Sequence, residues 1–482
     1  MPDTASTSGE IPHQSQFTRN RAHLSNFVLS NYPSRSETLL KDLLRTEHNG
    51  GSEQKHRQVK MNILVIGAGL GGLATSIALA RRGHKVTVLE QAQKLGEVGA
   101  GIQIPPNSAR LLKSWGIDPY FENKVVTPES MTFRRWEDGT PIGYTKLVPE
   151  FEETYKAPYY VIHRADFHES LHKLALQHGV EVIINSKVCT YDEENATVET
   201  VRGERYSADL VVAADGVNST ARRVVLRGEE EAPKLTGFAA YRATVSTEMM
   251  AQDPDTAWLL ERPGLNIWIG EDRHVMTYCI AGGKTFNMVL SHVDHTEPAT
   301  WSNGAAISEM RANFAGWDPK LTKVIDMIKT TVKWPLMNGS RLSTWVSKSQ
   351  SLVILGDAAH AMVPYMSQGA AMAVEDGAAL AESLSLIESK EDVGRALSIF
   401  EQVRMKRSYD MQSASLVNGI LWHFPDGPEQ EARDRGMKAE VEQRPYVQST
   451  NQWSDPVTQL WAYAYDAEEA IRECWAADSL GK

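Results

Sequence analysis

Three glycines spaced as Gly67-x-Gly69-x-x-Gly72, with Glu90 about twenty residues further on, are the residues whose spacing speaks most directly of chemistry. The first glycine of such a run permits a tight turn, the second lets backbone approach a pyrophosphate, and the third lets helix and strand pack closely. Amides at the start of the following helix then face the phosphates with the positive end of the helix dipole. A carboxylate where Glu90 stands, at the end of the next strand, accepts hydrogen bonds from ribose hydroxyls. These residues predict dinucleotide binding and do not by themselves separate FAD from NAD.

A second group lies in the segment from Trp268 to Tyr278. In a strand, side chains alternate between faces, so His274, Met276 and Tyr278 share one face and can meet a ligand together. An imidazole there is a candidate general base. His360, beside the glycine-rich turn at Gly356, is expected to be a structural hydrogen bonder instead. Ser219 and Ser367 lack the G-x-S-x-G elbow of a hydrolase. Cys189, Cys279 and Cys474 have no metal-ligand spacing and suit a reducing compartment, and no metal site is expected.

The elements that position these groups are legible around them. Residues 63–66 are apolar on both faces, as in a central parallel strand, and a helix over 73–82, closed by Gly83, leads to a strand over 85–89. Further on, the pattern predicts a helix over 166–178 and strands over 180–185 and 208–214. Between 238 and 293 alternating strands rich in Trp, Tyr and Met predict an antiparallel sheet. A last buried strand over 352–355 runs into Gly356-Asp357 and a small-residue helix over 369–386. The fold class is therefore α/β: a Rossmann-type domain interrupted by a substrate domain with a mainly antiparallel sheet, followed by a helical C-terminal region. The expected boundaries are 1–60 for a disordered N-terminal extension, 61–235 and 346–407 for the two parts of the dinucleotide domain, 236–345 for the substrate domain and 408–482 for the C-terminal region.

Composition excludes other classes. The 482 residues carry 50 lysines and arginines against 61 acidic residues, a formal charge of -11, which offers no general attraction to nucleic acid. Apolar runs are strand-sized, well short of the ~20 residues of a membrane-spanning helix. A soluble, cytoplasmic protein is expected. Organelle targeting by residues 1–60 stays open, although Asp3, Glu10, Glu37 and Asp42 are unfavourable in a transit peptide.

Several segments carry a resemblance. Asp215-Gly216-Val217-Asn218-Ser219-Thr220-Ala221-Arg222 and Gly356-Asp357-Ala358-Ala359-His360 each follow a buried strand. With the glycine run, and with Gly99-Ala100-Gly101-Ile102-Gln103-Ile104-Pro105-Pro106-Asn107, His163-Arg164-Ala165-Asp166 and Gly369-Ala370-Ala371-Met372-Ala373-Val374-Glu375-Asp376, they make residues 61–407 resemble the single-component FAD-dependent aromatic hydroxylases. The nearest branch is the salicylate hydroxylase-like one, with the 6-hydroxynicotinate hydroxylases. The resemblance implies FAD as cofactor, held by Asp357, Gly369 and Ala370, by Arg164, by the Ala100–Gly101 backbone and by Arg110. It implies NADPH or NADH as a transient co-substrate, since no second glycine fingerprint appears, and a structural and nicotinamide-access role for Asp215. The spacing of His274 and Tyr278 is similar to that of the base and substrate-contact pair in the 6-hydroxynicotinate hydroxylases, and Tyr241-Arg242 resembles the family's aromatic-arginine pair, making Tyr241 a third candidate at the substrate. The implied reaction delivers an oxygen atom from a flavin hydroperoxide to an electron-rich ring, in a salicylate-like acid or phenolic polyketide, with or without loss of a carboxylate. Epoxidation or another oxidative ring modification in secondary metabolism, and a flavin-binding protein without turnover, are the alternatives. Nothing in the sequence speaks to oligomeric state.

Overall fold

The computed structural model describes residues 59–96, 100–229, 232–302 and 304–481. The expectations for residues 1–58, disorder and targeting among them, lie outside these, as does Gly99.

The chain enters with β1 (Asn62–Ile66), α1 (Leu70–Arg81) and β2 (Lys85–Leu89). The four apolar residues of β1 are buried and the strand pairs in parallel on both edges, which is why its sequence shows no alternation. Gly67 turns out of β1 at φ +101°, a conformation that a side chain would strain. Then come β3 (Gly101–Ile104), β4 (Ser130–Arg135), β5 (Pro141–Lys146), β6 (Tyr160–His163), α2 (Arg164–Gln177) and β7 (Glu181–Ile183). A small antiparallel sheet of β8 (Val188–Asp192), β9 (Thr197–Thr200) and β10 (Arg205–Ser207) precedes β11 (Leu210–Ala213). Next are β12 (Lys234–Ser246), β13 (Gly264–Gly270), β14 (Arg273–Ile280), β15 (Thr285–Val293) and β16 (Thr331–Asn338). The chain closes through β17 (Leu352–Ile354), α3 (Gly369–Ser385), α4 (Val393–Trp422) and further C-terminal helices.

The central sheet has the order β17-β11-β1-β2-β7 and is parallel throughout. Its edge strand β17 comes from far down the chain, so the dinucleotide fold is interrupted as expected. The second sheet has the order β16-β12-β15-β14-β13-β4-β5, antiparallel except where β13 meets β4. Here the expected boundaries need correction. Residues of β4 and β5, placed by sequence in the dinucleotide domain, complete the second sheet, through a parallel pairing of Leu265 with Met131 that no local pattern announces. The boundary expected at 407 also falls inside α4, one continuous helix.

One face of the second sheet packs on the helices Ala306–Asn313 and Pro319–Asp326 through Tyr241, Val275, Met288 and Leu290. The other face turns toward the dinucleotide fold and the C-terminal helices. α1 and α3 touch at backbone distance: a Cβ at Gly377 would lie 2.7 Å from Thr75 Cα. α3 and α4 are joined by a fully buried ion network, in which Arg404 Nη1 donates to Glu375 Oε2 at 2.7 Å and Nε to Asp376 Oδ1 at 2.9 Å. Such a group is held in place strongly, because loss of either partner strands a charge away from water.

Candidate active site

A cavity of about 420 Å³ opens at the carboxyl ends of β1, β11 and β17, between the central sheet and the second sheet. Open parallel sheets bind ligands at this end of their strands. Of the residues named from sequence, Gly69, Gly101, Arg164, His274, Tyr278, Asp357, Gly369 and Ala370 all line it.

The cofactor side fits FAD on its own geometry. Gly67 and Gly72 are required by the protein itself, since a Cβ on either would collide with neighbouring backbone, Ala214 O in the first case and Gly67 O in the second. Gly69 is different: a Cβ there would meet nothing within 4 Å, so its bareness leaves room for a ligand. α1 begins at Gly69 with no side-chain cap and no acidic residue in its first turn, and α3 begins beside the cavity in the same way. Two uncapped helix N-termini thus present amides and positive dipole ends to one space, suited to a pyrophosphate and to negative charge on a reduced flavin ring. Asp357 stands exposed at the cavity wall, where its carboxylate can accept from ribityl or ribose hydroxyls. Glu90 is at the end of β2, outside the cavity lining. Its Oε2 accepts from Ala68 N at 2.7 Å and its Oε1 from Ala92 N at 2.8 Å, so it also braces the glycine turn, with further lone pairs for a ribose. Arg164 starts α2, its N–H donating to Ala100 O at 3.1 Å, which ties the Ala100–Gly101 backbone to the cavity.

Other groups have structural employment. Arg110 donates to the carbonyls of Tyr155 at 3.0 Å and Tyr465 at 2.7 Å, so it fastens C-terminal chain rather than reaching the cavity. Asp215 Oδ2 accepts from Thr220 N at 2.9 Å and Ala221 N at 3.2 Å, holding the turn whose Gly216 lines the cavity. His360 Nε2 pairs with Asp376 Oδ2 at 2.6 Å.

The wall of the cavity facing the glycine turn is carried by β12 and β14. His274, Met276 and Tyr278 do share the cavity face, as period two requires. Tyr241 is the exception among the named residues. It is fully buried on the opposite face, stacked on His292 with centroids 4.5 Å apart and bonded through its hydroxyl to Asn313 Nδ2 at 3.2 Å. The same alternation that excludes Tyr241 turns Ala240 and Arg242 into the cavity, so the aromatic-arginine pair contributes its arginine alone.

Burial depresses the His274 imidazole to about pKa 3, leaving it neutral and able to accept a proton. Its Nδ1 lies 2.8 Å from Nε2 of His423, and Tyr365 and Trp422 meet it edge-on. Burial raises the Tyr278 hydroxyl well above the usual range, and the charge of Arg242 works against that rise. Gln103, in the glycine-containing segment after β2, receives the Tyr159 hydroxyl at 2.6 Å and points its amide at Met276 Sδ, 2.9 Å away. Sequence reasoning missed Gln103 and His423. Only the buried polar character of Gln103 in a short strand could have signalled it; His423 meets its partner across 149 residues of chain.

Comparison with known proteins agrees with this site. Residues 60–414 match the family described as FAD binding domain. The chain is 36% identical over 409 residues to FAD-dependent monooxygenase OpS4 of Beauveria bassiana, covering 84% of this chain and 95% of that protein. It is 37% identical over 380 residues to 3-amino-4-hydroxybenzoate 2-monooxygenase PtnB3 of Streptomyces platensis, covering 78% of this chain and 92% of that protein. A salicylate hydroxylase substrate complex superposes with a TM-score of 0.70 at 26% identity, covering 86% of this chain and 98% of that one. Glycine cradle, uncapped helix ends, family match and relatives coincide, which sets aside a flavin-binding protein without turnover: the chain belongs to the FAD binding domain family and is an FAD-dependent monooxygenase.

Proposed function

We propose that this enzyme hydroxylates an aromatic, phenol-like substrate, a salicylate-like acid or a phenolic polyketide, using NAD(P)H and dioxygen. One observation carries the reading: a single cavity joins the glycine cradle for FAD to a wall holding His274, Tyr278 and Arg242. Reduced FAD, when bound, supplies the activation of oxygen. The rest falls to the protein. Ala240, Met276, Val289, Leu336 and Met362 give an apolar wall that suits a flat ring and keeps water from it. Arg242 places a cation where a carboxylate or phenolate can meet it, beside the Tyr278 hydroxyl. His274 takes the phenolic proton. An imidazole held at about pKa 3 is a weak base in isolation, but the imidazolium and phenolate formed together attract each other in a dry site and Arg242 adds to the stabilisation of the anion. The phenolic acid named for one relative supports this substrate class.

The test is a panel of hydroxybenzoates, hydroxynicotinates and phenolic polyketides scored for stimulated NAD(P)H oxidation and for oxygenated product in stoichiometric yield. A phenol that satisfies both supports the reading. Product from non-phenolic alkenes alone, at a rate indifferent to His274→Ala, would replace it with epoxidation.

A further inference from the structure

His423 follows α4 directly and lies beyond residue 414, outside the family match. Its position is fixed from several sides. Its N–H donates to Ile420 O at 3.3 Å, and its carbonyl accepts from Asp272 N at 3.3 Å, in the hairpin that opens β14. Its ring is stacked between Phe238, at 4.9 Å and 14°, and His274, at 5.1 Å and 23°, with Tyr365 edge-on at 5.6 Å. Within that stack its Nε2 comes 2.8 Å from His274 Nδ1. Both histidines are buried, 3% and 2% exposed, so the contact is shielded from solvent.

Two neutral imidazoles bonded in this way share one hydrogen, and the choice of owner sets the chemistry of the pair. If His423 held it, His274 would carry its own hydrogen on Nε2 and could only donate to a substrate. If His274 Nδ1 holds it, Nε2 keeps a lone pair and can accept. We infer that His423 is a positioning residue for the proton transfer assigned to His274: its Nε2 accepts the hydrogen of His274 Nδ1 and so keeps His274 Nε2 unprotonated for the phenol. This rests on the hydroxylation reading above. In the step, the phenolic O–H bond breaks, its electron pair stays on oxygen, and the proton forms a bond to His274 Nε2. The Nδ1–H bond to His423 then becomes charge-assisted, which is stronger. Arg433, whose charge is felt at His423, opposes onward transfer of the proton to His423 and keeps the cation on His274, next to the phenolate. Tyr365 is a further titratable group against the pair.

The FAD-loaded enzyme with 15N-labelled histidine reports the tautomer directly. At about pH 6 to 8 the expected state of His274 is protonated at Nδ1 and unprotonated at Nε2; the reverse tautomer overturns the inference, and this measurement needs no variant. In kinetics, His423→Phe keeps the stack and removes the acceptor. Hydroxylation of a phenol that is neutral in solution should slow by about tenfold or more, the factor one hydrogen bond is worth, with FAD content and the rate of flavin reduction unchanged. The loss should shrink as pH rises toward the phenol's own ionisation, and His423→Gln, whose amide oxygen can accept, should recover most of the rate. No loss, or a loss equal at every pH and for both variants, overturns the role of His423. A His274→Ala enzyme that hydroxylates at full rate overturns the base assignment itself, and is distinguished because His423 then has no proton transfer to position.

Discussion

The ring of Tyr278 packs on the backbone of Gly101 so closely that a Cβ at position 101 would overlap the ring edge, while the Gly101 N–H donates to Asn287 Oδ1 at 2.6 Å. β3 is thereby docked onto the second sheet, through Tyr278 of β14 and Asn287 of β15. Gly101→Ala must push Tyr278 out of place, at the ~1–3 kcal/mol typical of overpacking. The expected outcome is a raised KM for the aromatic substrate and more NAD(P)H consumed per product. Tyr278→Phe keeps the packing and loses only the hydroxyl, so its effect on substrate binding should stay near 0.5–1.5 kcal/mol. Equal behaviour of the two variants in steady-state kinetics would contradict this assignment.

Glu90→Ala and Asp357→Ala should each weaken FAD retention by roughly 1.5–3 kcal/mol, because each removes a charge-assisted acceptor. They should differ in a second respect. Glu90 also receives the N–H groups of Ala68 and Ala92, so its loss should lower the thermal midpoint of the apoprotein, and loss of the exposed Asp357 should not. Fluorescence titration of stripped protein with FAD, followed by melting curves, checks both.

His274→Ala should slow hydroxylation by about 10²–10⁴-fold with FAD content intact, and hydrogen peroxide should appear in place of product. Burial holds His274 at about pKa 3, so between pH 5 and 8, roughly, the base stays in its neutral form and adds no limb of its own to the wild-type profile. The defect should fade where the substrate is already ionised in solution. Tyr241→Phe is the control from the other face of the sheet: it loses a bond to Asn313 and about 0.5–1.5 kcal/mol of stability, and coupling should not change. A Tyr241 variant with impaired coupling would return that residue to the substrate.

Acid should destabilise the fold through its buried histidines. Burial lowers His84 and His292 to about pKa 4 and His274 to about 3, each below the 6.5 of the exposed group. The unfolded chain therefore binds more protons than the native one below about pH 6.5, so stability present at neutral pH is lost progressively as pH falls toward 4, by up to about 1.4 kcal/mol per pH unit for each group. His84→Gln, far from the cavity, should narrow its gap to wild type in denaturant titrations as pH drops from about 7.5 to 4.5. A gap independent of pH would show that His84 is not buried neutral.

The parts of this molecule that sequence revealed are those written in consecutive residues. β1, the glycine turn, α1 and β2 follow one another within a single unit, and Asp215-Gly216 and Gly356-Asp357 sit at the ends of buried strands, so the cofactor role of Asp357, Gly369 and Arg164 is legible in the sequence, and all three line one cavity. His274, Met276 and Tyr278 were legible for the same reason, because period two within one strand decides which side chains travel together. Tyr241 failed on that rule. Tyr241 and Arg242 are a pair in sequence only, because adjacent residues of a strand face opposite ways. The position of β4 and β5 in the chain points to the dinucleotide domain, whereas sheet membership is set by the pairing of β4 with β13, more than a hundred residues away. α4 crosses the expected end of the dinucleotide domain without a break because both of its halves are anchored: Arg404 and Arg407 reach back to Glu375, and Asn418, beyond that end, donates to Tyr365 O at 2.9 Å.

The interruption of the central sheet has a consequence for the order of events during synthesis. β1, β2, β7 and β11 leave the ribosome as a sheet lacking β17, and neither Asp357 nor the amide end of α3 has yet been made. The whole substrate sheet must be translated before the cofactor cleft has its second wall. Flavin capture is thus a late event, tied to the return of the chain across a long sequence separation, and a nascent chain stalled before residue 352 would present an unpaired strand edge and half a nucleotide site to the cell.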